Sequence, residues 1–422
     1  MSKFLYTILI KIFYIPFCLI IFFRIFINKE DKSKFTEKIF PAKFKRPDGY
    51  LFWFHVASLG EFNSIIPILN YFNEKNKNYN FLITTTTLSS YKEFKKKYED
   101  NNNFFHQFLP YDTKFLINNF FKNWRPDIVS FVDSEIWPNF ILKIGKENLP
   151  FLLLNARITK KSFKRWKIVN NFASELFSKF TLCIASSKET IDYLKYFNVS
   201  NVKFFGNIKY CSLIKIGKNT KEYQFDQIIN NFVWCAISTH PNEEIFLGKA
   251  HKIIQKKLKP STLILIPRHI NKIQKISSNL KKMGFDVQLK NEKDSINKNT
   301  EIALVNYYGE IAKYLKKINQ IFIGKSLLGK LKNRGGQNPI DAAKLGCKVY
   351  HGPYVYNFRE IYDFLGNKNL SKKIITPEEL AQNIIKNSGK FGEKKHETNQ
   401  ELENLSKDIF NNTISEYEKL IK

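Results

Sequence analysis

Short apolar runs, typical of strands buried on both faces, alternate with helix-compatible stretches along most of this sequence. Strands that alternate with helices form parallel sheets with helices on both faces, so we expect an α/β protein with doubly wound sheets. In the first half, the predicted strands are Leu51–Val56, Phe81–Thr86, Ile128–Val132, Phe151–Leu154, Leu182–Ala185 and Val202–Phe205. In the second half, they are Phe232–Ile237, Thr262–Pro267, Phe285–Leu289, Ile302–Val305, Ile321–Gly324 and Lys348–His351.

A polar, poorly periodic segment between the two halves is predicted to be a domain linker at residues 215–231. The chain has 422 residues, which is enough for two domains that each bury a full core. We expect an N-terminal segment at 1–28, a Rossmann-like domain at 29–214, a second Rossmann-like domain at 232–400 and a C-terminal helix at 401–422. The two domains are expected to face each other across a cleft.

The N-terminal segment is apolar but interrupted. Between Phe4 and Ile27 it carries Lys11, Pro16 and Arg24, and its charge-free part is short for a membrane span, which takes about 20 residues. We expect a retained anchor that tilts through the bilayer or lies in its interface, and the alternative is an amphipathic first helix docked on the protein. By the positive-inside rule, the basic residues that follow place the rest of the chain in the cytoplasm. They are Lys29, Lys32, Lys34, Lys38, Lys43, Lys45 and Arg46.

The charge of the chain is strongly positive. Lys and Arg number 68 against 38 Asp and Glu, which gives a formal net charge of +30. A field of this sign attracts phosphates and anionic membrane lipids, but it does not identify the partner by itself. The 5 cysteines include no C-x-x-C pair, which indicates reduced thiols in a cytoplasmic compartment.

Several familiar kinds of site are absent from the sequence. There is no G-x-x-x-x-G-K-[ST] phosphate loop, no G-x-G-x-x-G after a strand and no His/Cys cluster with zinc spacing. Asp133-Ser134-Glu135 is similar to a metal-binding acidic pair, but Trp137-Pro138 directly behind it indicates the start of a helix. We therefore expect neither a metal ion nor a cofactor.

Glu61 stands in a predicted strand-to-helix turn. Tyr50–Phe54 is predicted to be a buried strand, and the apolar spacing after Asn63 predicts a helix, so Gly60 and Glu61 lie between the two. Open α/β sheets bind ligands in such turns at the carboxyl ends of their strands, and the start of a helix keeps a carboxylate ionised. Glu61 is thus placed to accept a proton. The alternative interpretation is an acid that only complements the helix dipole.

Polar groups also follow several other predicted strands. The Gly335-Gly336 pair lets the backbone approach a ligand closely, and the helix from Pro339 onward directs free amides toward it, which suits a phosphate. Any one of these stretches is typical of a turn with a cap, but together they predict a ligand site. The stretches are Asn155-Ala156-Arg157, Asn207-Ile208-Lys209, Ser238-Thr239-His240-Pro241, Pro267-Arg268-His269, Tyr308-Gly309-Glu310 and Arg334-Gly335-Gly336-Gln337-Asn338-Pro339-Ile340-Asp341.

In order and spacing, these residues resemble the Kdo transferases. These are membrane-anchored GT-B glycosyltransferases that move 3-deoxy-D-manno-octulosonic acid (Kdo) from CMP-Kdo onto a lipid A precursor. The resemblance runs from about Phe54 to Ile361. Its motifs are His55-Val-Ala-Ser-Leu-Gly-Glu61, Ser134-Glu-Ile-Trp-Pro138, Asn155-Ala-Arg157, Gly206-Asn-Ile-Lys209, Ser238-Thr-His240, Pro267-Arg-His269, Arg334-Gly-Gly-Gln-Asn-Pro339 and Gly352-Pro-Tyr-Val-Tyr-Asn-Phe358.

The resemblance implies roles for individual residues. Glu61 would be the general base, and Glu135 and Lys209 would support the transition state. The residues implied in nucleotide binding are Arg268, His269, Tyr308, Gly309, Glu310, Asn338, Pro339, Ile340 and Asp341. Further substrate-binding residues are Ser58, Gly60, Arg157 and Gly336.

The resemblance also implies a reaction and its partners. It predicts metal-independent, inverting transfer of Kdo in lipopolysaccharide core synthesis at the cytoplasmic face of the bacterial inner membrane. CMP-Kdo is the expected donor, the lipid A precursor lipid IVA the expected acceptor and anionic inner-membrane lipids the expected surroundings, with no nucleic acid. The alternatives are a membrane-associated GT-B enzyme that uses a UDP-sugar, and a non-catalytic basic protein that binds lipid or nucleic acid.

Three positions depart from the pattern of that family. Lys325 stands where glycine is expected in Gly324-Lys325-Ser326-Leu327, Gln337 stands where histidine is common, and Asp341 stands where glutamate is usual. These departures affect the expected geometry of the donor site and leave the expected reaction class intact.

Overall fold

The computed structural model describes residues 3–211, 227–228, 230–307, 311–332, 335–388 and 399–421. Most of the predicted linker lies outside these ranges, and so does the predicted site turn Tyr308-Gly309-Glu310. The chain divides into two units. Unit 1 comprises Met1–Leu213 together with Leu405–Lys422, and unit 2 comprises Ile214–Asn404.

Unit 1 is built on a parallel sheet of seven strands. The strands are β1 (Tyr50–Val56), β2 (Tyr79–Thr85), β3 (Phe104–Phe108), β4 (Ile128–Val132), β5 (Phe151–Ala156), β6 (Leu182–Ala185) and β7 (Val202–Lys203). Their order across the sheet is β3-β2-β1-β4-β5-β6-β7. The helices up to residue 213 are α1 (Lys3–Ile12), α2 (Tyr14–Phe26), α3 (Thr36–Ile39), α4 (Leu59–Lys75), α5 (Leu88–Tyr98), α6 (Lys114–Trp124), α7 (Pro138–Lys146), α8 (Lys160–Ile168), α9 (Asn170–Phe177) and α10 (Lys188–Tyr196). One face of the sheet buries a core in which Trp53 of β1 packs with Phe120 and Phe140.

Unit 2 is built on a second parallel sheet of seven strands. The strands are β8 (Phe232–Thr239), β9 (Ser261–Pro267), β10 (Val287–Lys290), β11 (Ile302–Val305), β12 (Gln320–Ile323), β13 (Lys348–His351) and β14 (Ser371–Lys373). Their order is β10-β11-β9-β8-β12-β13-β14. The helices are α11 (Glu243–Gln255), α12 (Ile273–Lys282), α13 (Ile311–Lys317), α14 (Ile340–Lys344), α15 (Arg359–Asn367) and α16 (Pro377–Lys386).

Two parallel sheets flanked by helices confirm the predicted α/β class. The two strands that the sequence analysis did not predict, β3 and β14, both lie at a sheet edge. Polar side chains interrupt the apolar pattern of both, namely His106 and Gln107 in β3 and Lys372 and Lys373 in β14. In β3, His106 and Gln107 are nevertheless buried, and Trp124 donates a hydrogen bond of 2.6 Å to Gln107. In β14, both lysines are exposed.

The strand order reverses between β1 and β4 in unit 1 and between β8 and β12 in unit 2. At such a switch point the loops after two neighbouring strands lead to opposite faces of the sheet, which leaves a crevice for a ligand. In unit 1 these loops carry Glu61, after β1, and Asp133 and Glu135, after β4. In unit 2 they carry His240, after β8, and Lys325, after β12.

The two N-terminal helices pack on unit 1 through one face. The Tyr6 hydroxyl donates to Asp112 Oδ2 at 2.7 Å, and the ring of Phe17 stacks on that of Tyr111 with 4.3 Å between centroids. Among the helices in the described ranges, none alone has both the length and the apolar composition of a membrane span. Helices α1 and α2 have them only when taken together, and the two are bent by 44° at the break between them. The large apolar side chains that the pair leaves exposed include Phe4, Ile12, Phe13, Ile15, Leu19, Ile20, Phe23 and Phe26.

The last helix, α17 (Asn399–Leu420), returns the chain to unit 1. Tyr417 is buried, its hydroxyl lies 2.7 Å from Ser130 Oγ of β4, and its ring packs near Phe54 of β1. Lys203 of β7 forms an ion pair of 2.7 Å with Glu416. The sheet of unit 1 is therefore covered in part by the final residues of the chain.

We expect Tyr6→Phe to lower the free energy of unfolding of unit 1 by about 1–3 kcal/mol, because buried Asp112 loses one of its donors. Asp112 would keep only the backbone amides of Asn139 and Phe140, which begin α7. Urea titration of the full chain measures the change. Tyr196→Phe, which removes a hydroxyl from an exposed ring, is the matched control and should change stability by less than about 0.5 kcal/mol. Equal effects of the two substitutions would contradict this account.

Candidate active site

The turn after β1 holds Glu61 by reciprocal hydrogen bonds. Ser58 is the N-cap of α4, and its Oγ accepts from the Glu61 backbone amide at 3.3 Å and donates to Glu61 Oε1 at 2.8 Å. The amide of Ala57 donates to Glu61 Oε2 at 2.7 Å. This arrangement resembles a capping box, except that the carboxylate accepts from the amide of the residue before the N-cap, and it fixes a carboxylate at the amino end of a helix and the carboxyl end of a strand. The Gly60 backbone lies within the same turn.

The surroundings make Glu61 more basic than an ordinary glutamate. Burial, followed by the negative charge of Asp133, raises its pKa, and the charge of Glu135 acts in the same direction. The hydrogen bonds from Ser58 and Ala57 offset only part of this rise. A plain helix cap would have its pKa lowered by the helix dipole and those bonds. A carboxyl with a raised pKa is a better proton acceptor near neutral pH.

Asp133 connects two of the predicted site residues, Lys209 and Arg157. The sequence analysis did not include Asp133 among the site residues. Its Oδ2 accepts from Lys209 Nζ at 2.7 Å, and its backbone oxygen accepts from the Arg157 amide at 3.0 Å. Its φ of 65° is unusual for a residue with a side chain, and such strain is found mainly where a site requires it. The ion pair places the Lys209 ammonium beside the same acid that raises the pKa of Glu61.

Glu135 is held in its ionised form by two donors. Its Oε2 lies 3.2 Å from His55 Nε2 and accepts from Trp137 Nε1 at 2.9 Å. Burial works to raise the pKa of Glu135, but the hydrogen bonds and the charge of His55 outweigh it, and the pKa is lowered. His55 is fully buried in β1, and its Nδ1 lies 3.0 Å from Thr84 Oγ1. In the sequence, the only indication of a role for His55 was that a single histidine stands within an otherwise aromatic and aliphatic strand.

In unit 2, Glu243 joins the two loops at the switch point. This side chain is fully buried. Its Oε2 accepts from the amides of His240 at 2.8 Å and Lys325 at 2.7 Å, and its Oε1 accepts from those of Ser326 at 2.8 Å and Leu327 at 3.0 Å. The sequence analysis missed Glu243. The available signal was an acid in the first turn of the helix that follows β8.

The loop after β12 requires glycine at 324. A Cβ at Gly324 would lie 2.5 Å from Thr239 Cα and 2.7 Å from Glu243 Oε2. Lys325, which stands where the resemblance predicts glycine, adopts a φ of 60°. The departure thus retains the conformation that glycine favours, at some cost in backbone strain.

The predicted nucleotide-binding residues of unit 2 follow its strands. Arg268 and His269 come directly after β9 and are exposed, and the ring of His269 lies 5.1 Å from that of His240. Burial, and then the charges of His269, Lys325, Arg268 and Lys330, lower the pKa of His240 to about 4. This group of positive charges suits an anion.

The glycine pair lies close to another backbone segment of the protein, and a short helix follows it. A Cβ at Gly335 would lie 2.1 Å from the backbone oxygen of Tyr354, and Gly336 has a φ of 93° and contacts Val355. The pair therefore approaches the backbone of the protein itself. Asn338 Oδ1 accepts from the amide of Ile340, the first residue of α14, at 3.1 Å.

The structure thus brings Ser58, Gly60, Glu61, Glu135 and Lys209 to the switch point of unit 1. In unit 2, the predicted residues inside the described ranges follow strand ends near its own switch point. They are Arg268, His269, Gly336, Asn338, Pro339, Ile340 and Asp341. In the part of the chain that the structure describes, no group of three or more His, Cys, Asp and Glu residues could hold a metal ion.

A family model and two named relatives identify one family. A family model described as 3-Deoxy-D-manno-octulosonic-acid transferase (kdotransferase) matches residues 31–212. An Arabidopsis thaliana protein named probable 3-deoxy-D-manno-octulosonic acid transferase, mitochondrial, is 30% identical over 351 residues, which cover 81% of this chain and 77% of that protein. A 3-deoxy-D-manno-octulosonic acid transferase of Rickettsia bellii is 29% identical over 389 residues, which cover 90% and 86%.

Solved structures show the same fold at low sequence identity. The UDP-GlcNAc 2-epimerase from Neisseria meningitidis, bound to UDP-GlcNAc, has a TM-score of 0.57 and 14% identity. The match covers 87% of this chain and 100% of that one. At this identity the similarity concerns the fold alone.

We expect Glu243→Gln to lower the free energy of unfolding of unit 2 by about 1–3 kcal/mol, because the new NH₂ group faces amide donors and leaves them without an acceptor. Urea titration followed by tryptophan fluorescence measures the loss. Glu378→Gln, at an exposed position in the first turn of α16, is the matched control. An unchanged stability in Glu243→Gln would show that these four bonds do not hold the loops.

Proposed function

This chain belongs to the 3-deoxy-D-manno-octulosonic acid transferase family and is a glycosyltransferase, and we propose that it transfers Kdo from CMP-Kdo onto a lipid A precursor. The proposed reaction inverts the anomeric configuration, uses no metal ion and belongs to lipopolysaccharide biosynthesis. The acceptor is a phosphorylated, acylated amino sugar. The donor and acceptor follow from the family to which the chain belongs.

The observation that carries the proposal is the state of Glu61. Its carboxylate lies at the switch point of unit 1, and burial and then the charge of Asp133 raise its pKa. In the proposed step, an acceptor hydroxyl gives its proton to Glu61 as its oxygen attacks the anomeric carbon of Kdo. A positioned carboxylate accelerates such a proton transfer by roughly 10²–10⁴-fold.

The same step breaks the bond between the anomeric carbon and the phosphate oxygen of CMP. The electron pair of that bond leaves with CMP, so negative charge grows on its phosphate. Arg268 of unit 2 is the cation proposed to stabilise this charge where it develops, and Lys209 of unit 1 is proposed to support the transition state. The leaving phosphate is ionised at neutral pH, so the proposed mechanism requires no general acid.

Supporting roles are proposed for the residues around the base. Glu135 keeps its charge because His55 and Trp137 donate to it, and it raises the pKa of Glu61 from a fixed position. Asp133 holds Lys209. The nucleotide would be bound in unit 2 by Arg268, His269 and the segment from Asn338 to Asp341.

Association with an anionic membrane at the cytoplasmic face is proposed for the N-terminal helices. One face of α1 and α2 is occupied by contacts to unit 1, such as Tyr6 with Asp112. The opposite face exposes large apolar side chains, among them Ile15 and Phe26, which are 69% and 85% exposed. An apolar face beside basic residues is typical of a helix pair that lies in the membrane interface.

The decisive experiment combines purified protein with CMP-Kdo and a lipid A precursor and measures the molecular mass of the product. Glu61→Gln should lower kcat by roughly 10²–10⁴-fold and leave the affinity for CMP-Kdo unchanged, because the proton acceptor is lost and the shape is kept. Glu74→Gln, exposed at the far end of the same helix, is the control.

For the wild type, the ionised base disappears as the pH falls through its raised pKa, so the acid limb of kcat/KM should lie above pH 4.5, the usual glutamate value. Full activity in Glu61→Gln, or turnover with a UDP-sugar and not with CMP-Kdo, would refute the assignment.

Vesicle co-sedimentation tests the membrane face. Ile15→Ser should weaken binding to phosphatidylglycerol vesicles by about tenfold, because burial of such a side chain contributes about 1.5 kcal/mol or more. Ile375→Ser removes an isoleucine of similar exposure, 63%, from unit 2 and should leave binding unchanged. If both substitutions have the same effect, the face on α1 and α2 is not the membrane contact.

A further inference from the structure

A cavity of about 410 Å³ lies inside unit 1 beside the loops that follow β4 and β5. Because Asp133 holds Lys209, the cavity adjoins the candidate active site. Ser162, Arg165 and Trp166 belong to α8, which takes no part in the proposed reaction. The residues around the cavity include Asp133, Ser134, Arg157, Ser162, Arg165 and Trp166.

The lining of this cavity is suited to an anion that also carries hydroxyl groups. Helix α8 reads Lys-Lys-Ser-Phe-Lys-Arg-Trp-Lys-Ile and contains no acidic residue. Within the described ranges, neither Arg157 nor Arg165 forms an ion pair with a carboxylate. Asp133 Oδ1 is buried without a hydrogen-bond partner in those same ranges, so it remains available to accept from a hydroxyl group.

A larger groove of about 1000 Å³ adjoins this cavity, since Val169 lines both. The groove runs between α1 and the start of α9 and presents the apolar side chains of Phe4, Ile8 and Ile168. Ile168 is 82% exposed. Lys3, Lys11 and Lys114 also line the groove, together with one carboxylate, Glu175.

We infer that the cavity at α8 binds the phosphorylated sugar head of the acceptor and that the adjoining groove holds one of its acyl chains. This inference rests on the proposed function and names the part of unit 1 that recognises the acceptor. An arginine fork matches a phosphate by two parallel hydrogen bonds, and Arg157 and Arg165 are two such groups at one cavity. The exposed apolar lining of the groove suits a hydrocarbon chain, and the positive charges of its lysines suit the anionic head.

The position of the cavity favours the acceptor over the donor. Asp133, in the cavity wall, is the acid whose charge raises the pKa of Glu61. A head group seated there lies within unit 1 and contacts Asp133, which pairs with Lys209 of the candidate active site. The groove also begins at α1 and is lined by Phe4, one of the exposed apolar side chains of the helix pair proposed to lie in the membrane, so an acyl chain can enter it from the lipid phase.

Binding measurements test this site independently of turnover. Isothermal titration calorimetry on the full chain in detergent uses a phosphorylated glucosamine disaccharide without acyl chains, and the same disaccharide without phosphate. Arg165→Gln should raise Kd for the phosphorylated form by about tenfold and leave the other form unchanged, because a charge-assisted bond to phosphate is lost. Arg165→Lys should recover part of the loss. Lys122→Gln, at the far end of α6, removes an exposed charge remote from the cavity and serves as the control.

A second variant tests the groove. Ile168→Ser should weaken binding of the acylated acceptor by severalfold and leave binding of the disaccharide unchanged. An unchanged Kd for the phosphorylated disaccharide in Arg165→Gln, a loss of CMP-Kdo binding in its place, or a loss only of phosphatidylglycerol vesicle binding would each overturn the inference. The wild type could also bind the phosphorylated disaccharide through Arg165 and yet transfer no Kdo. That result would refute the proposed function and still support this binding site.

Discussion

In unit 2, a fully buried carboxylate joins the two loops at the point where the strand order reverses, and in unit 1 a partly buried carboxylate holds the turn after β1. The chain leaves a parallel strand with backbone amides that have no partner in the sheet, and at a switch point two such loops lie side by side. In unit 2, Glu243 provides the acceptor for four of these backbone amides. In unit 1 the carboxylate of Glu61 accepts from Ala57 and Ser58, and Asp133 is tied to the loop after β5 through Arg157. The rest of the site is placed by these bonds.

The chemistry of unit 1 follows from the different surroundings of neighbouring acids. Two carboxyl groups close together cannot both ionise at the usual pH without stabilisation, and each environment decides which one keeps its charge. His55 and Trp137 donate to Glu135 and lower its pKa, whereas the pKa of Glu61 is raised by burial and by the charges of Asp133 and Glu135. Lys209 pairs with Asp133 and so does not neutralise Glu61 directly. Glu135 therefore stays ionised to a lower pH than Glu61 does.

Much of this architecture could be predicted from the sequence, because central parallel strands are uniformly apolar and helices between them are periodic. The turn at Glu61 was likewise evident from its position between a strand and a helix. What escaped prediction depends on tertiary partners: β3 buries polar side chains through hydrogen bonds, and Asp133, His55 and Glu243 gain their roles only from groups far away in the chain. Gly335 has a local signal, close backbone approach, but the sequence does not show that the approaching partner is Tyr354 of the protein itself.

Helix α17 makes unit 1 discontinuous, since Tyr417 reaches Ser130 from the opposite end of the chain. During synthesis, unit 1 lacks this helix until unit 2 has been made, because α17 follows unit 2 in the chain. Domains usually fold in order from the amino terminus during synthesis, but here the earlier unit must wait for the later one to be made. A chain that stops before α17 would leave β1 and β4 partly uncovered.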